Sequence, residues 1–134
     1  MDDNNVEATP LDQSLVLLVD DNESCCATAA VLVREAGREL LAVADTMAAL
    51  SVLVECRPAT IIVDQDTGPV EVWHFCQLLR QHPVYSKACI AVLNRRNDIV
   101  EQARAEASGA DALLPKPFAA KELQAILDPQ RSAA

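Results

Sequence analysis

Thr60-Ile61-Ile62-Val63-Asp64 is a run of four β-favouring residues closed by a carboxylate. So short an uninterrupted apolar run fits a central strand buried on both faces, as in a parallel sheet. Asp64 then leaves the core at the strand's carboxyl edge, where open α/β sheets place their chemistry. A second run, Leu15-Val16-Leu17-Leu18-Val19, ends in Asp20-Asp21. Two buried strands are thus expected to deliver three carboxylates to one rim. Like charges packed together repel unless a cation joins them, so the convergence points to function and not to stability.

Outward from these two strands the chain alternates regularly. After Asp20-Asp21-Asn22 an N-cap opens a helix through Ala27, Ala30 and Val31 to Gly37, placed as a C-terminal stop. Residues 38–44 read as a second strand. Asp45-Thr46 caps a helix with Ala49, Leu50, Leu53 and Val54 as its apolar stripe, and Pro58 stops it before the strand to Asp64. A loop of Gln65 to Pro69 precedes a helix through Trp73, Cys76, Leu79 and Arg80, ended by His82-Pro83. Cys89 to Leu93 is a fourth strand closing on Asn94. Asn97-Asp98 opens a helix to Ser108-Gly109, and Asp111 to Leu114 is a fifth strand. Lys116-Pro117-Phe118 then leads to a last helix ending at Leu127. Five β-α units of this kind predict an α/β fold, a five-stranded doubly wound parallel sheet with helices on both faces. Residues 1–13 read as a loose polar lead, 14–128 as one domain, and 129–134 as a polar tail or linker.

Composition narrows the function. Hydrophobic residues make up 51% of the 134 residues but aromatics only 3%, so the core is built of Leu, Val, Ile and Ala. A formal net charge of −9 opposes binding to nucleic acid or to an anionic membrane. The acidic start lacks the apolar stretch of a secretory signal, and no apolar run approaches the length of a membrane span. The chain reads as cytoplasmic. Five cysteines without a C-x-x-C spacing read as free thiols, with Cys56, Cys76 and Cys89 as small core residues. His74 and His82 are too isolated to pair on a metal.

Four pieces, in order, carry a resemblance: Leu18-Val19-Asp20-Asp21-Asn22, the strand ending at Asp64, Gly109-Ala110-Asp111, and Lys116-Pro117-Phe118. Alone, each has an ordinary explanation: an acid pair as an N-cap, an aspartate opening a turn, a solvated lysine. Together, on strands one, three and five, they resemble the receiver domain of two-component response regulators, the CheY-like superfamily, from about Leu15 to Leu127. The resemblance implies a flavodoxin-like fold in which Asp64 accepts a phosphoryl group from a phosphohistidine on a histidine kinase or histidine phosphotransfer protein. It implies no enzyme acting on a separate substrate, only the domain's own phosphoryl transfer and dephosphorylation. Physical chemistry agrees with that assignment. Phosphoryl transfer to a carboxylate is catalysed by positioning and charge neutralisation, and Mg²⁺ prefers one or two carboxylates with phosphate and water. Asp21 is the expected direct ligand, Asp20 acts through water, Asp64 is nucleophile and ligand, and the resemblance adds the backbone carbonyl of Asp66. Lys116 is the expected cation for a phosphoryl oxygen, aimed by a cis Lys116–Pro117 bond that the family implies.

The departures fall on the switch. The family carries Met-Pro after the phosphoacceptor and a glycine eight residues on; this chain has Gln65-Asp66-Thr67-Gly68-Pro69 and Val72. Asn94 stands where the family has Ser or Thr, and Leu113 where it has an aromatic partner in the switching motion. Asp66 and Arg96 occupy positions where the family tunes phosphoryl lifetime. Two readings follow: a receiver that signals through a different motion, or a pseudo-receiver kept as a protein-binding module. A third, from another class, takes Asp64-Gln65-Asp66-Thr67 as the D-x-D-x-T motif of haloacid-dehalogenase-type phosphatases, with Asp66 as general acid. Only 70 residues follow Asp64, which leaves little room for that group's downstream motifs. Kinase docking is expected beside the first helix, near Cys25, Cys26 and Ala27. Binding of a downstream target protein, or weak dimerisation of a monomer, is expected on the fourth helix, fifth strand and fifth helix, with Arg95, Arg96, Arg104, Lys121 and Glu122 as candidates.

Overall fold

Parallel strands pair through evenly spaced ladders and need a crossover between them, and this chain supplies a helix after every strand. The computed structural model describes residues 10–96, 98–118 and 120–127. Residues 1–9 of the lead, Asn97, Ala119, Asp128 and the tail 129–134 lie outside the described residues. In chain order the elements are β1 (Asp12–Val19), α1 (Glu23–Glu35), β2 (Glu39–Val43), α2 (Thr46–Glu55), β3 (Pro58–Asp64), α3 (Val72–Gln81), β4 (Cys89–Asn94), α4 (Ile99–Ser108), β5 (Ala112–Pro115) and α5 (Ala120–Leu127). One parallel sheet runs β2-β1-β3-β4-β5. The order reverses between β1 and β3, which makes their carboxyl ends the crevice of the fold.

All seven residues of β3 are buried, as its unbroken apolar run requires. Alternate strand residues feed two layers. Leu17, Val19, Ile61, Val63, Ile90 and Val92 pack with α2 and α3 through Ala49, Leu53, Val72, Phe75 and Leu79. Val16, Leu18, Ile62, Leu93 and Leu114 pack with α1 and α5 through Ala29, Val33, Leu123 and Leu127. Among the described residues no helix is long and apolar enough to cross a membrane.

Several local expectations shift. The chain joins the sheet at Asp12, whose N–H donates to the Arg57 carbonyl (2.6 Å) while Pro58 opens β3 as its register partner; a first strand residue is a place where proline is tolerated. In α1 the inward face is Cys25, Ala29 and Val33, not Ala27 and Val31, which are exposed. Asn22 caps the helix through its side chain and so sets this i, i+4, i+8 phase. Cys25 therefore belongs to the core and not to a landing face. In α2, Ala49 and Leu53 point inward while Val54 is 86% exposed. All five cysteines are free; Cys76 is buried, Cys56 and Cys89 half-buried.

Candidate functional site

Strand register assembles the site. Val19 lies opposite Val63, so Asp20 and Asp64 leave adjacent strands side by side. Asn94 lies opposite Pro115, which puts Lys116 one residue past the end of β5. Its side chain reaches back across the end of β4. Nζ stands 3.0 Å from Asp64 Oδ1 and 3.0 Å from Asp20 Oδ2, and the three side chains are 9%, 10% and 0% exposed. The bond to Asp64 is a hydrogen bond. The contact to Asp20 is off-line, so Asp20 Oδ2 is a buried carboxylate oxygen with charge beside it but no hydrogen-bond donor. Asp20 Oδ1 accepts from the Asn22 N–H (3.0 Å), which ties the acid to the turn that starts α1. The Lys116–Pro117 bond is cis, as the resemblance implies, and so is Gly68–Pro69.

The two acids respond oppositely to this environment. Burial pushes the Asp64 carboxyl above its ordinary value; the Lys116 hydrogen bond offsets part of this, and the Asp20 charge adds to the rise. Burial also pushes Asp20 up, but the neighbouring Cys25 thiol, Lys116 and the Asn22 N–H outweigh it and hold the carboxyl low. Burial works against the Lys116 ammonium too, yet Asp20 and Asp64 keep its pKa raised. The Cys25 thiol, buried against Asp20, is pushed up to about 12 and stays protonated.

Above the ion pairs opens a cavity of about 390 Å³ lined by Asp21, Asp64, Asp66, Thr67, Arg95 and Lys116, among others. The three strand-end acids do not share one level. Asp21 and Asp64 face the cavity, while Asp20 is sealed beneath them. Among the described residues no three His, Cys, Asp or Glu side chains stand close enough to form a metal group by themselves. Mg²⁺ does not need three, since water and phosphate complete its shell. The undonated Asp20 oxygen, the Asp64 carboxylate and Asp21 at the mouth are hard oxygen donors that fit such an ion.

The flanking residues lie differently from their sequence-based roles. Asn94 is 3% exposed and does not line the cavity. Its Nδ2 donates to Glu101 Oε2 (3.0 Å) and its Oδ1 accepts from the Arg96 N–H (2.6 Å). Arg96 points its guanidinium at Asp98 (3.2 Å). Arg95 instead faces the cavity and pairs across it with the exposed Asp66 at 3.7 Å. Leu113 is half-buried against the α2–α3 layer. Sequence reasoning missed Arg95 as a cavity residue, Thr67 with its buried, unpartnered Oγ1, and the pair Gln65 and Glu101. Arg95, Thr67 and Gln65 carry no signal beyond sitting near a strand end, because each depends on which way a loop turns its side chain. Glu101 lies in the first turn of α4, where an acid ordinarily faces water.

With this geometry in place, the comparisons agree. Residues 16–128 match the response regulator receiver domain family, and the chain belongs to that family. Protein PilG of Pseudomonas aeruginosa is 24% identical over 108 residues, covering 81% of this chain and 80% of PilG. The DNA-binding response regulator MtrA of Mycobacterium tuberculosis is 30% identical over 110 residues, 82% of this chain but 47% of MtrA, so the chain spans about half of that relative. The chemotaxis response regulator CheY4 of Vibrio cholerae superposes with a TM-score of 0.79 at 26% identity, covering 90% of this chain and 98% of CheY4. A flavodoxin-like, CheY-type receiver is the architecture these matches share with the sheet order above. The dehalogenase-type reading is set aside with the family assignment.

Proposed function

We propose that the chain is a cytoplasmic phosphorelay receiver that accepts a phosphoryl group on Asp64 from a phosphohistidine of a histidine kinase or histidine phosphotransfer protein. The observation that carries this reading is the Lys116 ammonium, 3.0 Å from both Asp20 and Asp64 at the foot of an open acidic cavity. An Asp64 carboxylate oxygen attacks phosphorus as the bond from phosphorus to the donor imidazole breaks. The acyl phosphate forms, and the electron pair stays on the departing ring nitrogen. Lys116 neutralises charge on a phosphoryl oxygen, and Arg95 brings a second cation to the cavity wall, where it also offsets Asp66. Mg²⁺, when bound, supplies the charge neutralisation that lets anionic donor and acceptor approach. Asp20, Asp21, Asp64 and the Asp66 carbonyl are the groups that would hold it. In support, a magnesium ion is coordinated in the active site cleft of a Pseudomonas aeruginosa receiver domain of the same fold, that of sensor histidine kinase PA1611. The yeast histidine phosphotransfer protein Ypd1 co-crystallises with the receiver domain of Ssk1, again of this fold.

A second reading, a receiver fold retained as a protein-binding module, is favoured by one feature. Asn94 and Leu113 offer neither the hydroxyl nor the aromatic of the usual switch, and the Asn94 amide is already engaged by Glu101. Incubation with acetyl phosphate and Mg²⁺, followed by intact mass, separates the two. The receiver reading predicts a phosphoryl mass gain that disappears in Asp64→Ala. No gain at any magnesium concentration leaves the binding module.

A further inference from the structure

A glutamate in the first turn of a surface helix ordinarily faces water, but Glu101 does not. It is 3% exposed. Its Oε2 accepts from Asn94 Nδ2 at 3.0 Å and from Gln65 Nε2 at 2.7 Å. Oε1 faces the half-exposed Arg104 at 3.3 Å. The two amides come from the strand ends that frame the acceptor. Gln65 directly follows Asp64, and its N–H donates to the Leu93 carbonyl. Asn94 directly follows Leu93, the register partner of Asp64. One carboxylate oxygen on α4 thus gathers both side-chain amides beside the phosphoacceptor. The orientation of Asn94 is set from its other end, where Oδ1 holds the Arg96 N–H.

Burying a carboxylate is costly unless it is paired and hydrogen-bonded, so packing alone does not call for glutamate here. Resting on the reading of Asp64 as phosphoacceptor, we propose that Glu101 is the positioning residue that links Asp64 to α4, in place of a hydroxyl–aromatic pair. Before phosphorylation it holds the Asn94 and Gln65 amides on the helix. A phosphoryl group brings up to two negative charges and strong acceptor oxygens, and it competes for those same N–H donors. Each amide it captures leaves Glu101 a buried charge short of donors. The first turn of α4, pinned by the Asp98 side chain on the Glu101 N–H at 2.9 Å, then opens to hydrate the carboxylate.

Backbone hydrogen exchange of residues 99–104, read at matched phosphoryl occupancy by intact mass, tests this. In the parent protein, acetyl phosphate with Mg²⁺ is expected to speed exchange there by about tenfold, the factor given by loss of one hydrogen bond to a charged group. Glu101→Gln keeps the shape but halves the bond strength, so its unphosphorylated helix starts faster than the parent's and gains less. Glu101→Ala starts faster still and gains nothing. Should exchange in residues 58–64 show that the alanine variant has lost its fold, the glutamine variant decides. If the parent takes up phosphate but residues 99–104 do not respond, or if both variants respond as the parent does, the role of Glu101 is overturned while Asp64 stands. If the parent takes up no phosphate, the reading of Asp64 fails and the link fails with it.

Discussion

As the proposed phosphoacceptor Asp64 has to be ionised to act, yet its surroundings make ionisation harder than in water. Burial and the Asp20 charge hold its carboxyl above the ordinary 3.8. The folded state therefore binds this proton more tightly than the unfolded chain, and ionisation costs stability as pH rises past 3.8. Asp20 has the opposite sign. Held below 3.8, its ionised form contributes stability at neutral pH that is lost as pH falls. Asp64→Asn is accordingly expected to melt a few degrees above the parent at pH 7, and Asp20→Asn below it. The Asp64 difference fades as pH falls through its raised folded value towards 3.8. The Asp20 difference fades only further down, as pH falls from 3.8 through its lowered folded value. Calorimetry across pH reads this, and an Asp64→Asn protein that melts lower at pH 7 contradicts the charge balance drawn here. The Arg95–Asp66 pair is exposed and contributes little to stability; its consequence lies in access to Asp64.

At the scale of elements, two contacts hold the helices that frame the site. Gly109 ends α4 with φ +90°, and a Cβ there would meet Arg80 Cγ at 3.0 Å. Arg80 has no room to yield, since it hydrogen-bonds the carbonyls of Gly109, Ser86 and Ala88 and the Asp111 carboxylate. Gly109→Ala is expected to cost ~1–3 kcal/mol, read as a lower urea midpoint at unchanged slope. The Tyr85 hydroxyl is placed to donate to the Leu53 carbonyl (2.6 Å) or that of Cys56 (2.8 Å), closing the end of α2. Tyr85→Phe should cost about 1–2 kcal/mol by the same measurement. Gly109 was readable from its place after a periodic stretch. Tyr85 and Arg80 were not, because their partners lie 29 or more residues away for Tyr85 and on two separate loops for Arg80. The strands were readable because unbroken apolar runs admit one register of burial. The phase of α1 was not: Ala27, Ala29 and Ala30 are equally small, and the choice among them is made by the Asn22 cap and by Val33. Asp20, Asp64 and Lys116 were legible for a different reason, since each stands where a strand stops. Glu101 was hidden in what reads as an ordinary helix start, Asp98-x-x-Glu101, with the aspartate capping and the glutamate free to reach back.

For the whole molecule the excess of acid is the governing quantity. A net charge of −9 repels itself throughout, and among the described residues Asp21, Asp64 and Asp66 line one cavity together. Mg²⁺ is expected to raise the melting temperature because it binds the folded arrangement and not the unfolded chain. Sodium at matched ionic strength screens the general repulsion and should give a smaller rise. Asp64→Ala should lose most of the magnesium-specific part. Equal shifts from both salts would mean that no divalent site exists.

The central claim is that the acid at the end of β3, held by Lys116, forms the acyl phosphate. Borohydride reduction after acetyl phosphate treatment, followed by peptide sequencing, locates such a bond by converting the acylated aspartate to homoserine. Homoserine at position 64, absent when acetyl phosphate is omitted, is the predicted result. Homoserine at 20, 21 or 66, or at no position in a protein that has gained phosphoryl mass, would contradict it.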